Sequence, residues 1–294
     1  MKLDYISARG DRLPLANNEL FTLTNVDGQT AAGTSIASNV IGGVDGDVVT
    51  NVQANPRPLI IDLRVNSGVD VEEAKRAVLK VVKVKQRGSL EWTQNDRTVV
   101  ISGIVESVEM PRWNNGVVMQ IALHCDQPFW EDIDFIIKQI SEIIDLHYFV
   151  DAATDMLYFP EDGIAFGEYD TIRTKAFHND GDVAVGLEIS IVALDTVTNP
   201  VIYDGNGNFF GVGYGDGAKQ VVMEAGDNIV ITTHKGKKSV RINYRDSSRN
   251  LLPYIKPQST WLQMQAGDNL FTIDSDDDNL SNMSFSLIYK QRYV

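Results

Sequence analysis

The apolar residues of the chain fall into two regimes that change over near Leu157. In the first, β-rich runs surround one stretch of helical period. "PLIIDLRVN" from Pro58 to Asn66, "RTVVISGIVESVEM" and "NGVVMQIALHC" read as strands, the last two joined through "PRWNNG". The Asn115-Gly116 pair predicts a hairpin there, because a type I′ turn needs positive φ at both central positions. In "DVEEAKRAVLKVVK", Val71, Ala74, Val78, Val81 and Val82 recur at helical spacing, and Asp70 with Glu73 supplies a start like a capping box. Ahead of them "AAGTSIASNVIGGVDGDVVT" is rich in Gly, Ser, Thr and Asn without a period, which predicts a long loop or a flexible β-arm.

A junction follows in "CDQPFWEDIDFIIKQISEIIDL". Pro128 breaks the preceding strand, and Ile133, Ile136, Ile137, Ile140, Ile143 and Ile144 then fall at helical spacing. That spacing predicts a helix, while the many β-branched residues leave a buried strand open.

Beyond Leu157 short alternations recur: "LEISIVAL", "KQVVMEA", "NIVITTH", "KSVRINY", "TWLQMQA", "NLFTID" and "MSFSLIY". Gly, Asn and Asp clusters separate them and nothing helical intervenes, the pattern of an all-β sandwich or jelly roll. Two alternations open alike, "AGDNIVITTHKGKKS" from Ala225 and "AGDNLFTIDSDDDN" from Ala266. In both, Gly-Asp-Asn lies between alternating runs, where Gly supplies unusual φ and Asp or Asn bonds its own backbone. Ile229 and Ile231, or Leu270 with Thr272, then share one side of a sheet. The repeat reads as one turn-to-strand solution used twice, since the residues after it diverge at once.

Length and composition place this pattern in a two-domain globular protein: 294 residues exceed one average domain, and 43 % hydrophobic residues suffice for real cores. A net charge of -14 argues against a nucleic-acid grip, which needs clustered Lys and Arg. The densest basic run, "HKGKKSVRINYR", lies between strands and reads as a solvated hairpin. Cys125 is the only cysteine, so an intrachain disulfide and a Cys-based zinc site are excluded. A buried, inert thiol is expected there. "MKLDYISARGDRLPL" lacks the apolar core of a signal peptide, and no stretch approaches the ~20 apolar residues of a membrane span. A soluble protein made in the cytoplasm is the expectation.

Candidate chemistry changes the picture little. "DGNGNF" from Asp204 offers oxygens at positions one, three and five of a calcium loop. It has Phe209 where Gly is required and Gly215 where a bidentate Glu is required. "DSDDDN" at 274–279 fails alike, with Asn279 and Phe285 at those positions. Both read as solvated turns. His124, His147, His178 and His234 show no ligand spacing, and neither a Gly-x-Ser-x-Gly elbow, a P-loop nor a dinucleotide fingerprint occurs. Trp261 and Trp130 are the candidate sugar platforms, although a Trp inside an alternating run usually belongs to a core. No catalytic, cofactor-binding or metal residue is assigned, no cofactor is implied, and the chain reads as a non-enzyme.

Two regions resemble the distal tail proteins of long-tailed bacteriophages, the siphophage-type tail component family. "GIVESVEMPRWNNGVVMQIALHCDQPFWED" resembles the end of that family's N-terminal belt domain, a hairpin leading into a short Cys/Asp-Pro-aromatic signature. "FHNDGDVAVGLEISIVALDTVTNPVI" is similar to its Asn-x-Gly-Asp start of a C-terminal sandwich ending in Asn-Pro, and the two Gly-Asp segments fit later parts of that domain. The likeness runs from about "GVDGDV" to the C-terminus. It implies a mainly β protein: a β-rich belt domain with one helix over 1–130, a junction over 131–156, and a galectin-like or jelly-roll β-sandwich over 157–294. The implied function is structural. The belt domains form a homohexameric ring continuing the tail tube at the virion tail tip. The sandwich projects outward to a tail-associated lysin, tail fibre or receptor-binding protein. Direct nucleic-acid or membrane binding is not expected. No block of suitable size for an inserted carbohydrate-binding module is present. Two other classes compete, a carbohydrate-binding module and a non-catalytic accessory domain of a cell-wall hydrolase.

Overall fold

The computed structural model describes residues 2–139 and 174–294, apart from 44, 96, 111, 114, 115, 245, 246 and 278–281, together with the backbone of 143–144 and 168–169. Most of it is antiparallel β-structure, and it divides into two compact units, Met1–Asp134 with Arg292–Val294, and Phe135–Gln291.

In the first unit the strands are β1 (Lys2–Ser7), β2 (Arg12–Pro14), β3 (Phe21–Asp27), β4 (Thr34–Asn39), β5 (Val48–Ala54), β6 (Arg57–Val65), β7 (Arg87–Gln94), β8 (Arg97–Glu109), β9 (Arg112–Trp113), β10 (Gly116–Cys125) and β11 (Trp130–Asp132). The main sheet runs in the order β2-β1-β7-β8-β10-β6-β3. Alternation decides its inner face: Leu59, Ile61 and Leu63 of β6 and Met119, Ile121 and Leu123 of β10 are buried. The one α-helix among the described residues, α1 (Val71–Val81), presents Ala74 and Val78 to that core, joined by Val82 just beyond it. Asp70 begins it as expected, accepting a bond from the backbone N–H of Glu72 at 3.2 Å, one residue short of the capping-box position.

Two expectations shift here. The hairpin between β8 and β10 exists, but Gly116 pairs with Trp113 as the first residue of β10, so it is a strand residue and not a turn centre; Asn115 lies outside the described residues. The unpatterned stretch 31–50 is the β-arm alternative. Among the described residues β4 and β5 pair with each other and with no other strand, and every residue of both is exposed.

The last strand of the chain, β28 (Arg292–Tyr293), also belongs to this unit. It pairs with β11, opposing Trp130 to Tyr293 and Glu131 to Arg292. Arg292 Nη2 and Nε lie 2.6 and 2.7 Å from Glu131 Oε1, and Tyr293 Oη donates to Asp132 Oδ2 at 2.7 Å.

The second unit is a two-sheet sandwich. One sheet joins β12 (Ile136–Gln139), β17 (Glu188–Ala193), β22 (Asn228–Thr232), β23 (Ser239–Asn243), β24 (Ser248–Asn250) and β27 (Met283–Tyr289) in the order β12-β27-β17-β22-β23-β24. The other joins β15 (Thr174–Asn179), β19 (Val201–Asp204), β20 (Phe209–Gly211) and β26 (Gly267–Asp274) in the order β15-β26-β19-β20. Three short pairs complete it: β13 (Ile143–Ile144) with β14 (Glu168–Tyr169), β16 (Val185–Gly186) with β25 (Gln263–Met264), and β18 (Val197–Thr198) with β21 (Val222–Met223). Ile189, Ile191, Ile231, Phe285 and Leu287 from the first sheet meet Phe177, Ile202, Phe210 and Phe271 from the second in one core.

The junction helix is not formed where the chain is described. Ile136 to Gln139 form β12, which pairs antiparallel with β27 from Tyr289 to Ser286. The β-branched pair Ile136–Ile137 suits both periods, and the unpaired edge of β27 supplies ladder bonds that a helix could not use. Ile140 lies outside the described residues, and Ile143–Ile144 are strand.

The repeated Ala-Gly-Asp-Asn is turn chemistry in both copies, with Gly226 at φ +94 and Gly267 at φ +83. The copies then diverge. In the first, Asp227 Oδ2 accepts from the Glu224 N–H at 3.0 Å. In the second the asparagine takes over: Asn269 Oδ1 accepts from the Gln265 N–H, and its Nδ2 donates to the Gln265 carbonyl, both at 2.8 Å. The inward phase moves by one residue as well. Ile229 and Ile231 are buried after the first copy, whereas Phe271 and Ile273 are buried after the second, leaving Leu270 and Thr272 together on the outer side. At both glycines a Cβ would meet open space, so the positive φ alone opposes a side chain. Gly226→Ala and Gly267→Ala should each cost about 1 kcal/mol of stability. Urea denaturation checks this; an unchanged midpoint in both variants would contradict the turn reading.

Candidate functional site

The residues singled out for chemistry serve the fold. Asp204 Oδ1 accepts from the backbone N–H of Asn206 at 2.9 Å and of Asn208 at 2.8 Å, closing the β19–β20 hairpin. In the second acidic run, Asp276 Oδ2 accepts from Asn199 Nδ2 at 2.6 Å and Asp277 Oδ2 from the Thr198 N–H. Those carboxylates pin the loop before β19; Asn279 lies outside the described residues. Among the described residues no three His, Cys, Asp or Glu side chains cluster as metal ligands would.

The histidines are scattered. His124 Nδ1 stands 3.7 Å from Glu106, His234 sits in the β22–β23 turn, and His147 lies outside the described residues. His178 is held at 2.6 Å from Asp268 Oδ1, with Asp180 at 3.6 Å. The hydrogen bond to Asp268 favours the imidazolium and raises the pKa of His178 above the ordinary 6.5; the two carboxylate charges add to it. Cys125 is buried, and burial pushes its thiol up to about 11. The basic run is a hairpin turn with Lys235, Lys237 and Lys238 exposed.

Neither tryptophan is an open sugar platform. Trp261 packs on Phe210 with ring centroids 4.8 Å apart, under the Lys238 ammonium. Trp130 is buried and meets Trp92 edge-to-face at 5.7 Å.

What the first unit exposes instead is an apolar arm and an aromatic cleft. The β4–β5 arm carries Ile36, Val40, Ile41, Val48, Val49 and Val52 in solvent, Val40 at 82 % of its full exposure. The cleft, about 420 Å³, is lined by Trp92, Trp130, Tyr293 and Val99 with Gln29, Gln94 and Arg97 among its polar walls. Sequence reasoning flagged the arm but missed the cleft, whose residues come from four separated segments.

Two buried asparagines from the family-like segment shape the second unit. Asn179 Oδ1 accepts from the Gly181 N–H at 3.1 Å, and its Nδ2 donates to the Gln265 carbonyl at 3.1 Å. Asn199, at φ +49, accepts from the Val221 N–H at 2.9 Å.

The model of the siphovirus-type tail component C-terminal domain matches residues 180–293. Those residues are similar to that tail component domain. Asn199 and both Gly-Asp turns lie inside the matched segment. No curated protein sequence matches. Among solved structures, the SPP1 Dit (gp 19.1) protein, described as a paradigm of hub adsorption apparatus in phages infecting Gram-positive bacteria, shares the fold. It has a TM-score of 0.64 and 13 % identity, with 99 % of each chain covered. A chain of the phage P2 baseplate in its activated conformation with Ca aligns with a TM-score of 0.44 and 12 % identity. It covers 100 % of this chain and 99 % of that one. The same baseplate with Sr gives 0.45 and 13 %, with the same coverage.

Two side chains report on these environments. Asp268→Asn should bring the His178 titration midpoint back toward 6.5, as followed by imidazole NMR. The pairing's stabilisation is present below that value and fades as pH rises past the elevated pKa. An unmoved midpoint would mean that Asp268 is not its cause. Cys125 should resist a thiol reagent at about pH 8 until the protein is unfolded, and immediate labelling of the native protein would contradict its burial.

Proposed function

We propose that this chain is a structural subunit of a bacteriophage tail tip, a distal tail protein with no catalytic role. The match of residues 180–293 to the siphovirus-type tail component domain carries this reading. The likeness in fold to the SPP1 Dit protein extends over both units and supports it.

In this reading the first unit is the belt domain and assembles a homohexameric ring that continues the tail tube. The arm is the physical reason to expect assembly. A two-stranded ribbon is marginal in water by itself, and this one leaves both outer edges and its aliphatic side chains exposed. A neighbouring copy removes that exposed surface, and identical head-to-tail contacts close when the rotation fits. The second unit is the galectin-like sandwich that projects outward toward a tail-associated lysin, tail fibre or receptor-binding protein. The net charge of -14 suits a tube through which DNA passes without adhering.

The full-length chain at rising concentration should give six-fold rings in negative-stain images and a hexamer in native mass spectrometry. Replacing residues 34–54 by a short Gly-Ser linker should leave a monomer of nearly unchanged melting temperature. A ring of another symmetry, or full assembly without the arm, would overturn this account.

A further inference from the structure

Charge is segregated in the second unit. Between Lys219 and Lys256 the sequence holds eight Lys and Arg against three Asp and Glu, in a chain whose net charge is -14. Two of those acids, Glu224 and Asp227, sit in the Gly226 turn, at the other end of β22 from the Lys235–Lys238 hairpin. Among the described residues the basic side chains of this stretch meet no carboxylate at ion-pair distance, not even that of Asp216 in the loop before Lys219. Arg12, Arg87 and Arg292 of the first unit, by contrast, are each held by one.

The fold gathers these cations onto one flank. β20 and β24 are the last strands of their sheets, and the segment 251–262 runs from one sheet to the other. The Leu251 N–H donates to the Val240 carbonyl of β23 at 2.9 Å, the Lys256 N–H to the Gly211 carbonyl at 3.0 Å and the Thr260 N–H to the Phe209 carbonyl of β20 at 2.7 Å. The rings of this strap then hold the cations. Lys219 and Arg249 stand over Tyr254 at 5.1 and 4.5 Å, and Lys238 over Trp261 at 5.2 Å. Lys219 Nζ also donates to the Pro253 carbonyl at 2.9 Å. Such contacts restrict long side chains before a ligand arrives, so less freedom is lost on binding. Lys235 and Lys237 continue the row in solvent.

Unpaired cations fixed along one flank of an acidic protein make a local positive field for a polyanion. The rings decide which kind. Single-strand nucleic-acid sites combine such a field with open aromatic faces on which bases stack. Here the faces are taken, Trp261 by Phe210 and Lys238 and Tyr254 by its two cations. A base gains nothing on this surface, whereas each phosphate meets a charged donor. We propose that the β20–β24 flank of the second unit binds a base-free phosphodiester polymer, a polyol phosphate chain, with successive phosphates on Lys237, Lys238, Arg249 and Lys219.

Fluorescence anisotropy of an end-labelled synthetic poly(glycerol phosphate) tests it with the full chain. Binding should weaken roughly tenfold or more between about 50 and about 200 mM salt, as counterion release requires. Lys235→Glu with Lys237→Glu, two exposed turn residues that no ring holds, should lower affinity at least tenfold at an unchanged melting temperature. Arg249→Gln should lower it severalfold. Arg76→Glu with Lys80→Glu makes the same change in net charge on the exposed side of α1, and should leave binding as it was. Oligo-dT and poly-Glu of matched charge should bind no more tightly than the polyol phosphate. No binding at the lower salt, or an equal loss in the α1 variant, would refute the site. Tighter binding of oligo-dT would reassign the flank to nucleic acid, and tighter binding of poly-Glu to an acidic protein.

Discussion

The pairing of β11 with β28 is the constraint on which the chain's organisation depends. It joins residues separated by the whole second unit, and it is reinforced in three ways: by Arg292 on Glu131, by Tyr293 on Asp132, and by Arg97 stacked on Tyr293. The loop so closed is long, but closure entropy grows only logarithmically with length, so a few half-buried polar contacts and one buried Trp are enough to hold it. The consequence is that the first unit is not a contiguous N-terminal domain. It is completed by the last residues of the chain, and the aromatic cleft exists only once Tyr293 has come home.

Features set by local periodicity were legible in the sequence. The 71–82 valines predict α1 because helical spacing and a capping aspartate agree, and the alternating runs beyond Leu157 predict strands because each pleat buries every second residue. Reading failed where two periods fit the same residues. Ile136 and Ile137 satisfy a helix as well as a strand, and only the free edge of β27 decides between them. At the 113–116 hairpin the register of pairing, which spacing does not reveal, moves Gly116 from the turn into the strand.

The two Ala-Gly-Asp-Asn copies show how little sequence identity fixes at this level. One copy uses its aspartate to cap the turn and the other its asparagine, and that exchange accompanies a one-residue change in which side chains face the core. Freed from the turn, Asp268 becomes the exposed partner of His178. The candidate interaction surface was half legible for a related reason. The arm betrays itself by a polar, glycine-rich composition, while the cleft is assembled from Gln29, Trp92, Trp130 and Tyr293, which only the sheet order brings together.

The arm's full exposure separates two kinds of selection. Core positions such as Leu59, Ile61 and Leu63 are answerable to the fold, and a change there is felt in every copy whether or not it meets another. No residue of β4 or β5 is answerable to the monomer in that way. Drift along the arm would therefore be silent in an isolated subunit and audible only in company. Lineages carrying this fold would be free to alter how their subunits recognise one another without renegotiating how each one folds.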